Sequence, residues 1–303
     1  MPLSHSPAPL SLRHRLEAAA AGAFFGAMAR LPVDTASAWG GWLGQRLGIL
    51  SSAHRTTLDN LARALPELDE AARQRIARDA WDNFGRTMTE YAVLPRIWRE
   101  GWRDRITVSG HETLAAFAAA GKPALLFSGH IGNWEALPVA LGDLARPLTI
   151  VYRPPNNPAV DAMIGRVRAS YTAAMAPKSR TGGRMILNAL EAGGLVIMLV
   201  DQKINEGLEI PFFGRDAFTG PAIARLAMRF ACPVFPVRCE RLDGCRFHIT
   251  VEPPWTFTKS TDGTPTEEDV RAAMTRINAR LEDWIRERPG QWLWMHRRWP
   301  KGT

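Results

Sequence analysis

The sequence predicts an α/β protein, a mixed, partly parallel sheet flanked by helices, with an N-terminal helical region suited to a membrane surface. Three observations predict it. Before residue 100 the apolar residues recur at helical spacing. After Lys122 short apolar runs bounded by Gly, Pro and Asn alternate with helical segments, the texture of an α/β core. A short apolar run flanked by arginines lies near the start. At 303 residues the chain can bury a large core, and the expected organisation is a disordered leader over 1–15, a helical membrane-associating region over 16–100 and an α/β core over 101–303.

The first ten residues, MPLSHSPAPL, are proline-containing and carry no Lys or Arg, so they read as a leader rather than a signal peptide. Residues 16–28, LEAAAAGAFFGAM, form an apolar run between Arg13, Arg15 and Arg30. It is shorter than the ~20 residues that span a bilayer, so a helix lying in the interface is expected, with a buried core helix as the alternative. Over 33–50, Gly40, Gly41, Gly44 and Gly48 beside Trp39 and Trp42 suit close helix packing near an interface. Residues 53–99 read as helical throughout; Ile76, Ala80, Phe84, Met88 and Tyr91 make one apolar face, with Arg73, Arg75 and Arg78 in solvent.

The expected strands are 123–128, Leu148–Tyr152, 195–200, 234–239 and 247–252. Between them Asn157-Pro158 supplies a cap and a first-turn proline, and Thr219 begins a further helix. Thr266 with Asp269 resembles a capping box, after which Val270, Met274, Ile277, Leu281 and Trp284 mark one helical face.

A formal charge of +8 favours anionic partners, and eleven tryptophans favour a lipid interface among them. RNP, KH and helix-turn-helix signatures are absent, so no nucleic-acid partner is expected. Cys232, Cys239 and Cys245 have neither metal-site nor disulfide-framework spacing, and are expected to be small apolar fillers of a strand pair in a reducing compartment. No metal site is expected.

The chemistry concentrates in ALLFSGHIGNWEALPVAL at 124–141, an apolar strand, a Gly-flanked turn and an apolar helix. The turn places His130 and Glu135 in an HxxxxE arrangement at the carboxyl end of the strand, where open α/β sheets bind ligands. An imidazole is matched to general-base work near neutral pH, and no GxSxG nucleophile elbow exists to suggest a covalent route. Gly129 and Gly132 would let backbone approach a substrate, with Asn133 in the same turn; Glu135 would orient the ring or bind the acceptor. His54 and Asp59 share the spacing inside a polar helix with no strand before it, so His54 is read as a surface or capping residue.

Tyr152-Arg153 and Asp201-Gln202 end two further strands. Arg153 would hold a phosphate or stabilise an oxyanion, and Asp201 would orient His130 or contact the acceptor; ordinary strand-end ion pairing is the alternative for each. Lys178, Ser179 and Arg180 precede a helix start, a setting that suits a phosphate or is simply a solvated loop. The tail QWLWMHRRWPK sets Trp292, Trp294 and Trp299 among His296, Arg297, Arg298 and Lys301, which reads as a docking strip for a head group or as a packed cover.

Six stretches together carry a resemblance: NLARALPEL at 60–68, GHIGNWE at 129–135, YRPPNNP at 152–158, DQ at 201–202, PFFGRDAFTGPAIARLA at 211–227 and QWLWMHRRW at 291–299. The combination resembles the lipid A biosynthesis lauroyl/myristoyl acyltransferase family, within the glycerolipid acyltransferase superfamily, from about residue 16 to residue 299. The resemblance implies a glycerolipid acyltransferase-like core. It implies late acylation of lipid A, from an acyl-acyl carrier protein donor onto a hydroxyl of a Kdo-bearing lipid A precursor, without a further cofactor. It also implies a site on the cytoplasmic face of the inner membrane, with His130 and Glu135 as the catalytic pair. Many members have a clearer N-terminal transmembrane helix than this chain. An acyltransferase for another lipid acceptor (a lysophospholipid, a phosphatidylinositol mannoside or an ornithine-type lipid) and a non-catalytic anion- or lipid-binding protein are the competing readings.

Overall fold

Apolar side chains alternate between the two faces of each central strand, and a helical layer covers each face. In a computed structural model, which describes residues 11–142, 144, 146–171, 174–260 and 263–300, five helices come first. They are α1 (Leu12–Met28), α2 (Val33–Gly48), α3 (Ser52–Ala64), α4 (Glu70–Glu90) and α5 (Leu94–Gly101). The leader expected over 1–15 lies outside the described residues up to residue 10, and so does Lys301. Ser11 caps α1 by accepting from the His14 N–H, so the helix begins before the apolar run does. The single helical stretch expected over 53–99 is three helices. Leu65 leaves helical geometry before Pro66, and Asp69 then caps α4 by accepting from the Ala72 N–H.

No residue of α1 is buried, whereas α2 packs along α4. That contact is possible because it is built from glycine: a Cβ on Gly85 would lie 2.1 Å from the Gly40 carbonyl oxygen, and one on Gly44 2.1 Å from that of Trp81. Trp39 and Trp42, on α2, stay exposed. Among the described residues no helix is long and apolar enough to cross a membrane.

The core follows as β1 (Ile106–Ser109), α6 (Glu112–Ala119), β2 (Ala124–Ser128), α7 (Ala136–Leu141), β3 (Leu148–Tyr152), α8 (Pro158–Arg168), β4 (Ala174–Pro177), α9 (Arg180–Glu191) and β5 (Leu195–Leu199). Then come β6 (Lys203–Phe212), β7 (Arg215–Thr219), α10 (Ala222–Phe230), β8 (Val234–Arg241), β9 (Phe247–Val251) and α11 (Glu267–Glu287). Asn157 and the reciprocal Thr266–Asp269 box cap α8 and α11 as expected. Thr219, expected to start a helix, ends β7 instead; α10 begins after Pro221, whose fixed φ suits a helix entrance.

Seven strands form one sheet in the order β1-β9-β8-β2-β5-β3-β4. β8, β2, β5, β3 and β4 run parallel, while β9 is antiparallel to β8 and parallel to β1, which makes the sheet mixed and mostly parallel. Leu125 and Phe127 of β2 join the core under α9, α10 and α11, while Ala124 and Leu126 join that under α6 and α7, the period-2 signature of a strand covered on both faces. The three cysteines are buried and free. β6 and β7 form a separate hairpin, turned by Phe213-Gly214 with φ of 52° and 68°, the left-handed pair that a two-residue turn requires. Because β2, β5, β3 and β4 are parallel neighbours, their carboxyl ends bring His130, Gln202, Arg153 and Lys178 to one edge.

Candidate active site

The turn from β2 into α7 is clamped on three sides. The Gly132 N–H donates to the Gln291 carbonyl, and the His130 carbonyl accepts from the Leu293 N–H, tying the turn to the C-terminal segment. From α4, Asn83 and Thr87 donate to the Gly132 carbonyl at 2.9 and 3.2 Å. Gly132 has φ of 58°, and a Cβ there would sit 2.4 Å from the Cys239 carbonyl of β8. Only glycine fits, so its place in the motif comes from packing against β8 rather than from substrate approach.

Asn133 likewise belongs to the scaffold. It is fully buried, donates to Glu90 at 2.7 Å and accepts from the Glu135 N–H at 2.9 Å. Glu90 in turn accepts from Arg241 Nη1 and Nη2 at 2.5 and 2.9 Å and from the Ser37 hydroxyl at 2.6 Å. This buried, satisfied network joins α2, α4 and β8 beneath the turn.

What the scaffold presents is His130. Its Nδ1 lies 2.7 Å from Asp201 Oδ1, and Asp201 Oδ2 accepts from the His130 N–H at 2.8 Å and from the Trp292 indole at 2.7 Å. Burial alone would raise the Asp201 carboxyl, but the His130 charge and these hydrogen bonds outweigh it and hold the group well below the usual carboxylate range. A carboxylate can only accept, so in the neutral imidazole the proton sits on Nδ1 and Nε2 is the basic nitrogen. The Gln202 amide nitrogen lies 3.4 Å from Nε2, and the Trp134 ring edge packs on the imidazole at 5.0 Å.

Glu135 is placed differently from the expectation that it orients the ring. Its two oxygens accept from Arg168 at 2.5 and 2.9 Å, and Arg168 also donates to the Tyr91 hydroxyl at 2.9 Å. The guanidinium sits against the rings of both Tyr91 and Tyr152. Burial first, and the Glu135 charge second, push the Tyr91 hydroxyl up, so it stays a neutral phenol. Arg168 gave no sign in the sequence beyond ending a helix.

These groups line one cavity of about 530 Å³. His130, Gln202, Glu135, Arg168, Tyr152 and Arg153 bring the polar atoms; Phe25 of α1, Met88, Leu137, Ile150 and Leu199 bring apolar wall. His296 lines it too, and burial, the first cause, together with the His130, Arg298 and Arg153 charges, lowers its pKa against the pull of Asp201.

Three expected binding residues lie elsewhere. Arg298 is fully buried and donates to the Phe218 carbonyl and the Thr219 hydroxyl at 3.0 and 2.7 Å, stacked on Phe212, so it pins the β6–β7 hairpin. Arg297 is half-buried and does not line the cavity, and Arg180 lines a neighbouring one. Trp292, Trp294 and Trp299 are core residues, not a surface strip: 292 and 299 pack on Phe212 and 292 on 294. His54 accepts from the Trp81 indole at 3.2 Å and does not line this cavity. Among the described residues no three His, Cys, Asp or Glu side chains are grouped to hold a metal ion.

Comparison with known proteins identifies the family. Residues 10–301 match the family model for bacterial lipid A biosynthesis acyltransferases. The lipid A biosynthesis palmitoleoyltransferase of Escherichia coli K12 is 26% identical over 272 residues, covering 85% of this chain and 83% of the relative. The lauroyltransferase of the same organism is 26% identical over 258 residues, covering 80% and 79%. A lipid A biosynthesis acyltransferase of Haemophilus influenzae is 22% identical over 261 residues, covering 84% and 78%. The chain is therefore an acyltransferase that belongs to the bacterial lipid A biosynthesis acyltransferase family.

Proposed function

We propose that the chain transfers a fatty acyl group from acyl-acyl carrier protein to a hydroxyl of a Kdo-bearing lipid A precursor, with His130 as general base. The observation that carries this reading is the orientation of His130: Nδ1 is engaged by buried Asp201, and Nε2 faces a cavity with apolar walls and a cationic rim.

The acceptor hydroxyl gives its proton to Nε2 as its oxygen attacks the thioester carbonyl carbon. Asp201 stabilises the imidazolium that forms, in the way a buried carboxylate serves a Ser-His-Asp triad. The Gln202 amide, beside Nε2, is positioned to donate to the oxyanion. The carbon–sulfur bond then breaks, the imidazolium returns the proton to the departing thiolate, and an ester and a free thiol result. No cofactor is needed for this sequence. Glu135 and Arg168 brace part of the cavity wall, and Arg153 and Lys178 supply positive charge for the phosphates of the acceptor.

The acceptor is membrane-borne, and the same reading puts the protein on the cytoplasmic face of the inner membrane. Exposed Leu12, Leu16 and Phe24 of α1 and Trp39 and Trp42 of α2, with Arg13 and Arg15 alongside, form the apolar and basic surface such attachment requires. Mass spectrometry of lipid A from cells with and without this chain tests the function. One acyl chain fewer in its absence is expected; identical lipid A from both would overturn the assignment.

A further inference from the structure

A second cavity opens on the same sheet edge, beside the one that holds His130. It encloses about 630 Å³, within the ~300–1,000 Å³ range of small-molecule sites, between β5, β6, α9 and α10. Its walls are aliphatic: Ile186, Leu187, Met198, Ile223 and Leu226. Its rim is basic, with Lys178, Arg180, Arg184 and Arg225. Among the described residues none of these four cations is ion-paired to a carboxylate. Val151, Lys178, Leu199 and Gln202 line both cavities, so the two chambers meet at Gln202, whose amide lies 3.4 Å from the His130 base.

We infer that this second cavity receives the acyl chain of the donor thioester, and that Arg180, Arg184 and Arg225 on its rim dock the acidic carrier protein that delivers it. The inference rests on the thioester-donor reading above and adds where the donor binds. Two amphiphiles must reach one imidazole, so each needs its own apolar wall. The first cavity touches α1 at Phe25, on the same helix that carries the exposed Leu12, Leu16 and Phe24, and is the natural seat of a membrane-borne acceptor. The second is lined by nothing before Val151, so a donor arriving on a soluble carrier reaches it without passing α1. Walls that bring no ionisable group favour an uncharged chain, each buried methylene adding to binding. The cations at the mouth complement an acidic protein and steer its approach, and that attraction weakens with salt.

The test uses the purified full chain with octanoyl-, dodecanoyl- and hexadecanoyl-acyl carrier protein and a Kdo-lipid A precursor. Gly183 lines the second cavity, and a Cβ there meets nothing within 4 Å, so Gly183→Trp adds bulk without displacing backbone. It should raise the KM for the hexadecanoyl donor at least tenfold relative to the octanoyl donor and leave the acceptor KM unchanged. Leu226→Trp, on α10, should do the same from the other wall and serves if the first variant is unfolded by circular dichroism. Arg180→Glu with Arg225→Glu should raise the KM for every acyl carrier protein at least tenfold, abolish its salt dependence, and leave transfer from acyl-pantetheine, which lacks the protein, unaltered. Unchanged chain-length preference in folded variants, or a rise confined to the acceptor KM, would overturn the assignment of the cavity alone. Wild-type protein that uses acyl-pantetheine but shows no dependence on the carrier would overturn the docking rim. No transfer from any of these donors by wild-type protein would overturn the thioester-donor reading, and this inference with it.

Discussion

Replacing Asp201 with Asn should abolish most of the activity while changing almost no volume. Asp201 accepts three hydrogen bonds, from His130 Nδ1, the His130 N–H and the Trp292 indole. An asparagine brings one acceptor oxygen and one amide donor. If its oxygen keeps the two donors on the Oδ2 side, its NH₂ faces His130 Nδ1, which must then become the acceptor. The ring proton moves to Nε2, and the base is lost. General-base catalysis contributes about 10²- to 10⁴-fold, and the same tautomer error costs about 10⁴-fold in a Ser-His-Asp triad. At 1.36 kcal/mol per decade that is roughly 3–5 kcal/mol of barrier. Hydrogen bonds to a charged group are worth about 1.5–3 kcal/mol each, so a fall in stability accompanies it and circular dichroism must show the variant folded at the assay temperature. Transfer would be followed by mass spectrometry of the acylated precursor, with kcat measured at saturating donor. A folded Asp201→Asn protein with kcat within tenfold of wild type would refute the Asp201–His130 pairing as the source of the base.

Three further outcomes follow from the same geometry. Glu135→Ala should leave the buried Arg168 guanidinium unpaired at a cost of about 3–5 kcal/mol, and adding Arg168→Ala should recover part of it; a denaturant double-mutant cycle that is simply additive would count against the pair. Arg298→Gln should lower the thermal midpoint by removing the pin on the hairpin, whereas Arg297→Gln should leave it in place; equal midpoints for the two would contradict the burial of Arg298. His296 has a lowered pKa, so as pH falls below about 6.5 the unfolded chain binds a proton that the folded chain refuses, and stability declines until the folded value is passed. His296→Asn should therefore flatten the loss of denaturant midpoint between about pH 7.5 and 5 relative to wild type; an unchanged slope would assign that loss to other groups.

Local pattern was enough for much of the architecture. β3 was legible at both ends, β2, β5, β8 and β9 were placed to within about two residues at each end, and the Thr266–Asp269 box with its apolar face was read directly from α11. Caps, turns and two-sided burial are nearest-neighbour physics, and they leave their mark within a few residues. β1 and β4 were missed because they are four residues long. The β6–β7 hairpin was missed because its turn is Phe213-Gly214 rather than Asn-Gly, and a phenylalanine at positive φ is tolerated only where the Phe213 N–H donates to Glu282 and its ring packs on Trp299.

By itself the sequence determined that His130 stands at a strand end in a glycine-flanked turn, with Arg153 and Asp201-Gln202 at the ends of other strands. It did not determine which carboxylate serves the imidazole. Glu135, five positions along, is the nearer in sequence, yet both its oxygens go to Arg168, while Asp201, 71 positions away, takes Nδ1. Only the tertiary structure decided this, because β2 and β5 pair as parallel neighbours and so set their carboxyl ends side by side. The same holds for the C-terminal tryptophans. A Trp-Arg-rich tail has the composition of a membrane strip and of a core cover alike, and what separates them is whether Phe212 and Thr219, some 80 residues earlier, are there to receive Trp299 and Arg298.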